Sequence, residues 1–437
     1  MNSHFEFPWD FCRGLVIFLL MGTMVYLITM PEGASGVGPA TSPGGPGYAR
    51  PPGEACTIPS GNTSFPGENG TGPVPGNGGG INGSGENASN AGTTRSLNSG
   101  TDQLLADVRR DEARWLSACQ HPDGAIAMAP GSDRVVPYFA NLAAITLVRL
   151  DPSKARQYIT WYLDHLNDPD RWGLAGTIYD FHVKDGKLVP TGNYDSADSY
   201  ASTFLSLVSA YYRETKDARF VRNELNRIRK VSGVVLSLQD KDGLVRVKPG
   251  SQTKYLMDNC ENYAGLMDWA KTLEALGETA EASLYREKAS LIKQGIQSVL
   301  YDPSTGKYAW SLSRFGKRYP KQGKWYPDGV SQLSLISCGI IEPGSPEART
   351  IWADFNSQFP GWEEGVKKDS FPWGVVAITA YTMSDLPRAE RYIKWVLDQY
   401  ASAGREYPWY VLESACLIQL CDSVPVRSSE MVLAGSS

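Results

Sequence analysis

The sequence predicts an all-α protein, an (α/α)6 toroid of six helical hairpins, and three observations point there. From residue 101 onward amphipathic helical segments follow one another between Gly- and Pro-rich loops, and no run of alternating strand residues breaks the series. The segments are of two kinds in strict alternation: one with a charged face, the other apolar or small almost all round, which means burial. The buried kind recurs at uneven intervals of about 37 to 70 residues, whereas an open solenoid would repeat at a nearly constant period. Inner helices around a cavity, with long outer-to-inner loops gathered at one mouth, satisfy all three.

In chain order, residues 14–30 (GLVIFLLMGTMVYLITM) carry no charge and just reach the length of a membrane span. Arg13 precedes the run and the next basic residue is Arg50, so the N-terminus is expected in the cytoplasm and the rest outside it. Residues 1–30 read as a signal anchor. A cleaved signal peptide, which would leave the protein secreted, is the alternative, with Ala34-Ser35-Gly36 a poor cleavage site. Residues 31–100 are dominated by Gly, Pro, Ser, Thr and Asn and cannot build a core, so they read as a disordered tether with a reach on the order of 45 Å. Asn62, Asn69, Asn82 and Asn87 stand in N-x-S/T sequons.

The helical domain is expected over 101–422, with a flexible tail over 423–437. Its outer segments are 101–119, 153–167, 217–238, 278–300, 345–358 and 385–402. Its inner segments are 137–150, 196–213, 258–276, 328–341, 371–383 and 408–421.

Composition removes several function classes. The 437 residues hold 42 Lys and Arg against 47 Asp and Glu, a net charge of -5, which makes nucleic-acid binding through a basic surface improbable. Seven cysteines without a C-x-x-C pair exclude a disulfide scaffold and a zinc ribbon, and four histidines limit metal chemistry. A zinc toroid would use Cys260, Cys338 and Cys416, but no histidine falls in an inner helix, and small apolar filling accounts for the thiols. The D-D-x-x-D motif of a terpene cyclase is missing. No cofactor or metal is expected, and the chain reads as a monomer.

The functional signal is the composition shared by loops that lead into the inner helices: a carboxylate, aromatics, and Gly or Pro. They supply His121-Pro122-Asp123-Gly124, Tyr194-Asp195-Ser196-Ala197-Asp198, Asp258-Asn259-Cys260-Glu261-Asn262-Tyr263, Trp325-Tyr326-Pro327-Asp328, Asp369-Ser370-Phe371-Pro372-Trp373 after Trp362, and Glu406-Tyr407-Pro408-Trp409. Each acid alone fits a helix cap. Asp195 with Asp198, and Asp258 with Glu261, are spaced i, i+3, so each pair shares one face of a first turn. Like charges that close push pKa values apart, as acid/base chemistry requires. Aromatic rings interleaved with carboxylates suit a poly- or oligosaccharide, and Tyr194, Asp258, Trp325, Tyr326, Asp328, Trp373 and Trp409 are the candidate sugar contacts. Trp161, Trp269 and Trp395, inside helices, read as core.

The six-hairpin plan, with DSADSYASTFL opening the second inner helix, resembles the six-hairpin glycosidase superfamily, especially the clan of family 8 endoglucanases, over roughly residues 101 to 422. The resemblance implies a glycoside hydrolase that inverts configuration. It places the general acid at Asp123, sugar binding at the cleavage point on Asp195 and Asp198, and the base at Asp369 ahead of Phe371-Pro372-Trp373. Two departures stand: the family's acid is a glutamate in a Glu-Gly segment, and no arginine lies between Asp369 and Trp373. Glu261 and Asp328 remain alternatives for a catalytic role. Two further readings stay open: a polysaccharide lyase or sugar epimerase with Tyr194, Tyr200, Tyr255, Tyr263, His121 or Lys254 as base, and a non-catalytic sugar-binding protein.

Overall fold

The computed structural model describes residues 91–366 and 369–423. The anchor at 1–30, the linker up to residue 90 and the tail from 424 lie outside the described residues. No helix among those described is long and apolar enough to cross a membrane.

Twelve α-helices are present among the described residues: α1 Ala91–Ala118, α2 Pro137–Leu150, α3 Pro152–Asp164, α4 Ala197–Thr215, α5 Ala218–Leu238, α6 Leu256–Ala275, α7 Thr279–Gly295, α8 Val330–Ser337, α9 Pro346–Gln358, α10 Gly374–Thr382, α11 Leu386–Val396 and α12 Val411–Ser423. Even-numbered helices are the inner kind. They pack in series, α2 on α4, α4 on α6, α6 on α8, α8 on α10, α10 on α12, and α12 again on α2. Each inner helix also packs on the outer helix that follows it through a short connection, and α12 packs on α1. The hairpins therefore run inner to outer, and the long loops run outer to inner.

Local chemistry explains the two kinds. α5 buries Phe220, Val221, Leu225, Ile228, Val231, Val234, Val235 and Leu238, the three-and-four spacing of a one-sided helix, and Asp217 caps it by accepting from the Phe220 N–H at 3.0 Å. Asp151 and Ser345 cap α3 and α9 in the same way. The N-cap residues of α2, α4, α6, α8 and α10 make no side-chain cap bond. Those N-cap residues are Val136, Ser196, Tyr255, Gly329 and Trp373, so no acid caps these five helices from the N-cap position.

Two expectations need correction. α1 begins at Ala91, inside the stretch read as linker, because composition alone set that boundary. Short strands also interrupt the helices. β1 (Arg134–Val135), β2 (Phe181–Lys184) and β3 (Lys187–Pro190) form one antiparallel sheet, and β4 (Lys254–Tyr255), β7 (Ser311–Ser313) and β8 (Gly316–Arg318) another. β5 (Tyr301–Asp302) pairs with β6 (Lys307–Tyr308). The β2–β3 turn is Asp185-Gly186, both at positive φ, the sequence signal of a two-residue hairpin.

Candidate functional site

The site is built where α4 and α6 begin. Gly265 lets these helices approach closely: a Cβ there would lie 2.3 Å from the Ser202 carbonyl oxygen. One turn earlier on each helix, that approach brings Asn262 Nδ2 within 2.8 Å of Asp198 Oδ2. Asp198 is fully enclosed, at 0% exposure. Ser196 Oγ stands 2.7 Å from Asp198 Oδ1 and 2.9 Å from Asp258 Oδ2. A hydroxyl has one hydrogen, so it can donate to only one of them. Both bonds form when the other carboxyl carries a proton and donates it to Oγ. Burial is greatest at Asp198. Burial first, and the charge of Asp258 second, hold its carboxyl well above the usual range. One proton thus serves the Asp198–Ser196–Asp258 chain.

Three more acids surround this chain. Burial, then the charge of Asp258, push Glu261 up to about 8, while the Tyr138 hydroxyl donates to its Oε1 at 2.6 Å. Burial pushes Asp258 itself up to about 7. Asp180 is also raised to about 7 by burial, against the pull of Arg134 at 3.9 Å, and accepts from the Tyr200 hydroxyl at 2.8 Å. Burial raises Asp195, and Lys248 and Arg134 oppose the shift. Five carboxyls with raised pKa values are therefore linked by their mutual charge.

Aromatic rings frame them. Tyr138 stacks near Tyr200 at 6.1 Å, Tyr255 lies parallel to Trp310 at 6.4 Å, and Tyr326 meets Trp373 at 5.1 Å. Burial and then the charges of Asp258 and Asp195 raise the Tyr326 hydroxyl, so this ring borders the cluster. Trp373 sits at φ 64°, a left-handed conformation that a bulky residue rarely adopts. Glu413 holds it there by accepting from the N–H of Trp373 at 3.1 Å and of Gly374 at 2.7 Å.

Of the sequence candidates, Asp195, Asp198, Asp258, Glu261 and Tyr326 come together, with Trp373 beside Tyr326. Trp325 reaches this group only through the edge of Trp373, at 6.1 Å, and the others make no hydrogen bond or ion pair with its acids among the described residues. Asp123 is exposed and its Oδ1 accepts from the Ala125 N–H at 3.1 Å, forming a turn. Asp369 forms a similar turn with the Phe371 N–H at 2.8 Å, and its charge falls on Tyr400, Tyr407 and Tyr410. Asp328 is buried and accepts from the Lys321 N–H at 2.8 Å. Tyr194, 1% exposed, donates to Asp170 at 2.6 Å and closes a loop. Trp325 packs among Phe355 and Phe359, and Trp409 stacks on Tyr400, both in the core. Trp362 is likewise fully buried. An aromatic at a loop–helix junction is as easily a plug for the core as a platform for a sugar.

Sequence reasoning missed Asp180, Tyr138, Ser196, Asn262, Arg134, Lys248 and Trp310. Ser196 and Asn262 were inside motifs already singled out, and only the approach of α4 to α6 reveals their part. A depression of about 500 Å3 lined by Gln297, Tyr301, Tyr308, Glu347 and Ile351 contains none of the clustered acids.

No family model matches the chain, and no curated protein matches its sequence. Solved structures do resemble it. A wild-type glycosidase is 14% identical with a TM-score of 0.57, over 75% of this chain and 98% of that one, and a variant glycosidase in complex with glucose gives the same values. A rhamnosidase from Klebsiella oxytoca with rhamnose bound is 13% identical with a TM-score of 0.51, over 77% of this chain and 64% of that one. A GH78 family rhamnosidase of Bacillus sp. GL1, 13% identical with a TM-score of 0.51, is covered over 35% of its length. At these identities the likeness is one of fold.

Proposed function

We propose that the chain is a glycoside hydrolase built on an (α/α)6 toroid, cleaving a poly- or oligosaccharide with carboxyl groups as general acid and base. The observation that carries the reading is the group of raised carboxyls at the first turns of α4 and α6, framed by aromatic rings. Glycoside hydrolysis needs one protonated carboxyl for the leaving oxygen and one ionised carboxylate for water or the anomeric carbon. Glu261, at about 8, keeps its proton at neutral pH and is the acid. Asp195, whose charge Lys248 and Arg134 favour, is the base. Asp258 lies electrostatically between them, and Asp198 and Ser196 set its share of the proton. Inversion, which the family resemblance implies, would need the acid and base roughly 6.5 to 9.5 Å apart with a water between them.

The ring of packing contacts among inner helices supports the toroid, and the likeness to glycosidases supports the reaction class. The lyase and epimerase reading has less support from five of its six candidate bases, with His121 the exception. Burial raises the hydroxyls of Tyr194, Tyr200, Tyr255 and Tyr263, and Lys254 is paired with Asp240 at 2.9 Å and Asp242 at 2.8 Å. Residues 14–30 anchor the protein as a monomer, with this domain outside the cytoplasm.

The test is product release by the full chain in detergent micelles on a panel of glucans, chitosans and uronate polymers, following reducing ends and the absorbance of unsaturated sugars. Reducing ends lost in both Glu261→Gln and Asp195→Asn support the reading. New absorbance would replace it with a lyase, and binding without turnover would replace it with a lectin. The rate should fall as pH rises through about 8, where Glu261 loses its proton.

A further inference from the structure

The chain carries a net charge of -5, yet Ser313 to Lys324 reads SRFGKRYPKQGK, with Arg314, Lys317, Arg318, Lys321 and Lys324 and no acid. All five cations are exposed, and among the described residues none is in an ion pair; the nearby Lys307 pairs with Asp354 instead. Phe315, at the tip between β7 and β8, is 66% exposed beneath the Arg314 guanidinium at 4.6 Å. A patch of one sign on a chain of the opposite net charge attracts anionic ligands.

The hairpin is tied to the site. β7 pairs with β4, Leu312 opposite Lys254 and Ser311 opposite Tyr255, and the next residue, Leu256, begins the helix that carries Asp258 and Glu261. Arg318 lies 5.8 Å over Trp310, whose ring parallels Tyr255, and its charge is felt at the Tyr255 hydroxyl. A basic surface thus runs by way of two aromatic rings to the carboxyls.

We propose that the β7–β8 hairpin and the Lys321–Lys324 segment bind an acidic polysaccharide, a polymer of uronic or otherwise anionic sugars, and lead it into the mouth. This rests on the glycoside-hydrolase reading. Continuity with the carboxyl site favours a polymer of sugars over a membrane surface, which would need only the charge.

The test measures binding of the full chain, held in nanodiscs of zwitterionic lipid, to polygalacturonate, neutral dextran and phosphatidylglycerol vesicles, beside the variant Arg314→Gln/Lys317→Gln/Arg318→Gln. Polygalacturonate should bind in preference to dextran. The variant should bind it about tenfold or more weakly, with a salt dependence whose log–log slope is smaller by roughly 2 to 3, at an unchanged melting temperature. Equal binding by wild type and variant, or no preference for the acidic polymer, overturns the proposal. Preference for the vesicles over polygalacturonate, lost in the variant, overturns it in favour of a membrane surface. Binding needs no turnover, so the two readings fail separately: a protein that binds polygalacturonate through these cations but hydrolyses nothing refutes the hydrolase alone.

Discussion

Replacing Glu261 by Gln should abolish turnover and make the protein more stable in alkaline solution. The carboxyl is held at about 8 against an ordinary 4.5, so between those values the folded state binds a proton that the unfolded chain has lost. Stability therefore falls as pH rises through this window and reaches its floor above 8. At 1.36 kcal/mol per pKa unit, ionising Glu261 in place costs up to about 5 kcal/mol, or about 2 if water in the mouth screens it. Gln keeps the shape and cannot ionise. Melting of wild type and variant across pH 5 to 9 should show curves that meet near pH 5 and separate by roughly 3 to 7 °C at pH 9 for a domain of this size. Part of the gain belongs to Asp258, which no longer faces a charged neighbour when it ionises. Parallel curves at every pH would refute the claim that Glu261 stores a proton, and retained turnover would remove it from the reaction.

Three other substitutions probe the frame around that group. Ser196→Ala removes the hydroxyl between Asp198 and Asp258. It should cost about 1.5 to 3 kcal/mol in stability by denaturant titration and lower kcat with KM unchanged, because the acids no longer share a proton. Gly265→Ala puts a methyl 2.3 Å from the Ser202 oxygen, and the shift of α4 from α6 should cost about 1 to 3 kcal/mol and lower activity beyond the loss of folded protein. Asp123→Asn, in contrast, should leave kcat/KM within about twofold in a steady-state assay, since the side chain forms a turn and touches none of the clustered acids.

The helical plan was legible because burial leaves its mark on every turn. Pro137 to Leu150, PYFANLAAITLVRL, is apolar or small nearly all round and buries eight of its residues, whereas α5 shows one apolar stripe. The strands were not, since a pair such as Lys254–Tyr255 is two residues long and has no period of its own. Only Asp185-Gly186 offered a signal, and it concerns the turn. The carboxyl pairs on α4 and α6 were legible from i, i+3 spacing. Their coupling was not, because it depends on the distance between two helices, which a glycine with no chemistry of its own decides.

Asp123 has a structural part that the sequence shows only when its segment is compared with a second one. QHPDGAIAMAPGS from Gln120 and QDKDGLVRVKPGS from Gln239 are two copies of one segment. In each, the Gln side chain donates to the backbone oxygen of the following Gly, at 3.1 and 3.0 Å, and the Asp accepts the N–H two residues on, at 3.1 Å in both. Each copy also offers a carbonyl to the start of an inner helix: Met128 accepts from the Val411 N–H and Val247 from the Ala197 N–H. What the copies share is therefore what the turn needs. What differs is free for chemistry, and there Ala129 in the first copy is replaced by Lys248 in the second, the cation that favours the charge of Asp195. An acid beside a glycine before an inner helix says little by itself; the same acid found again in a second copy, making the same bond, has a part in the fold that accounts for its presence.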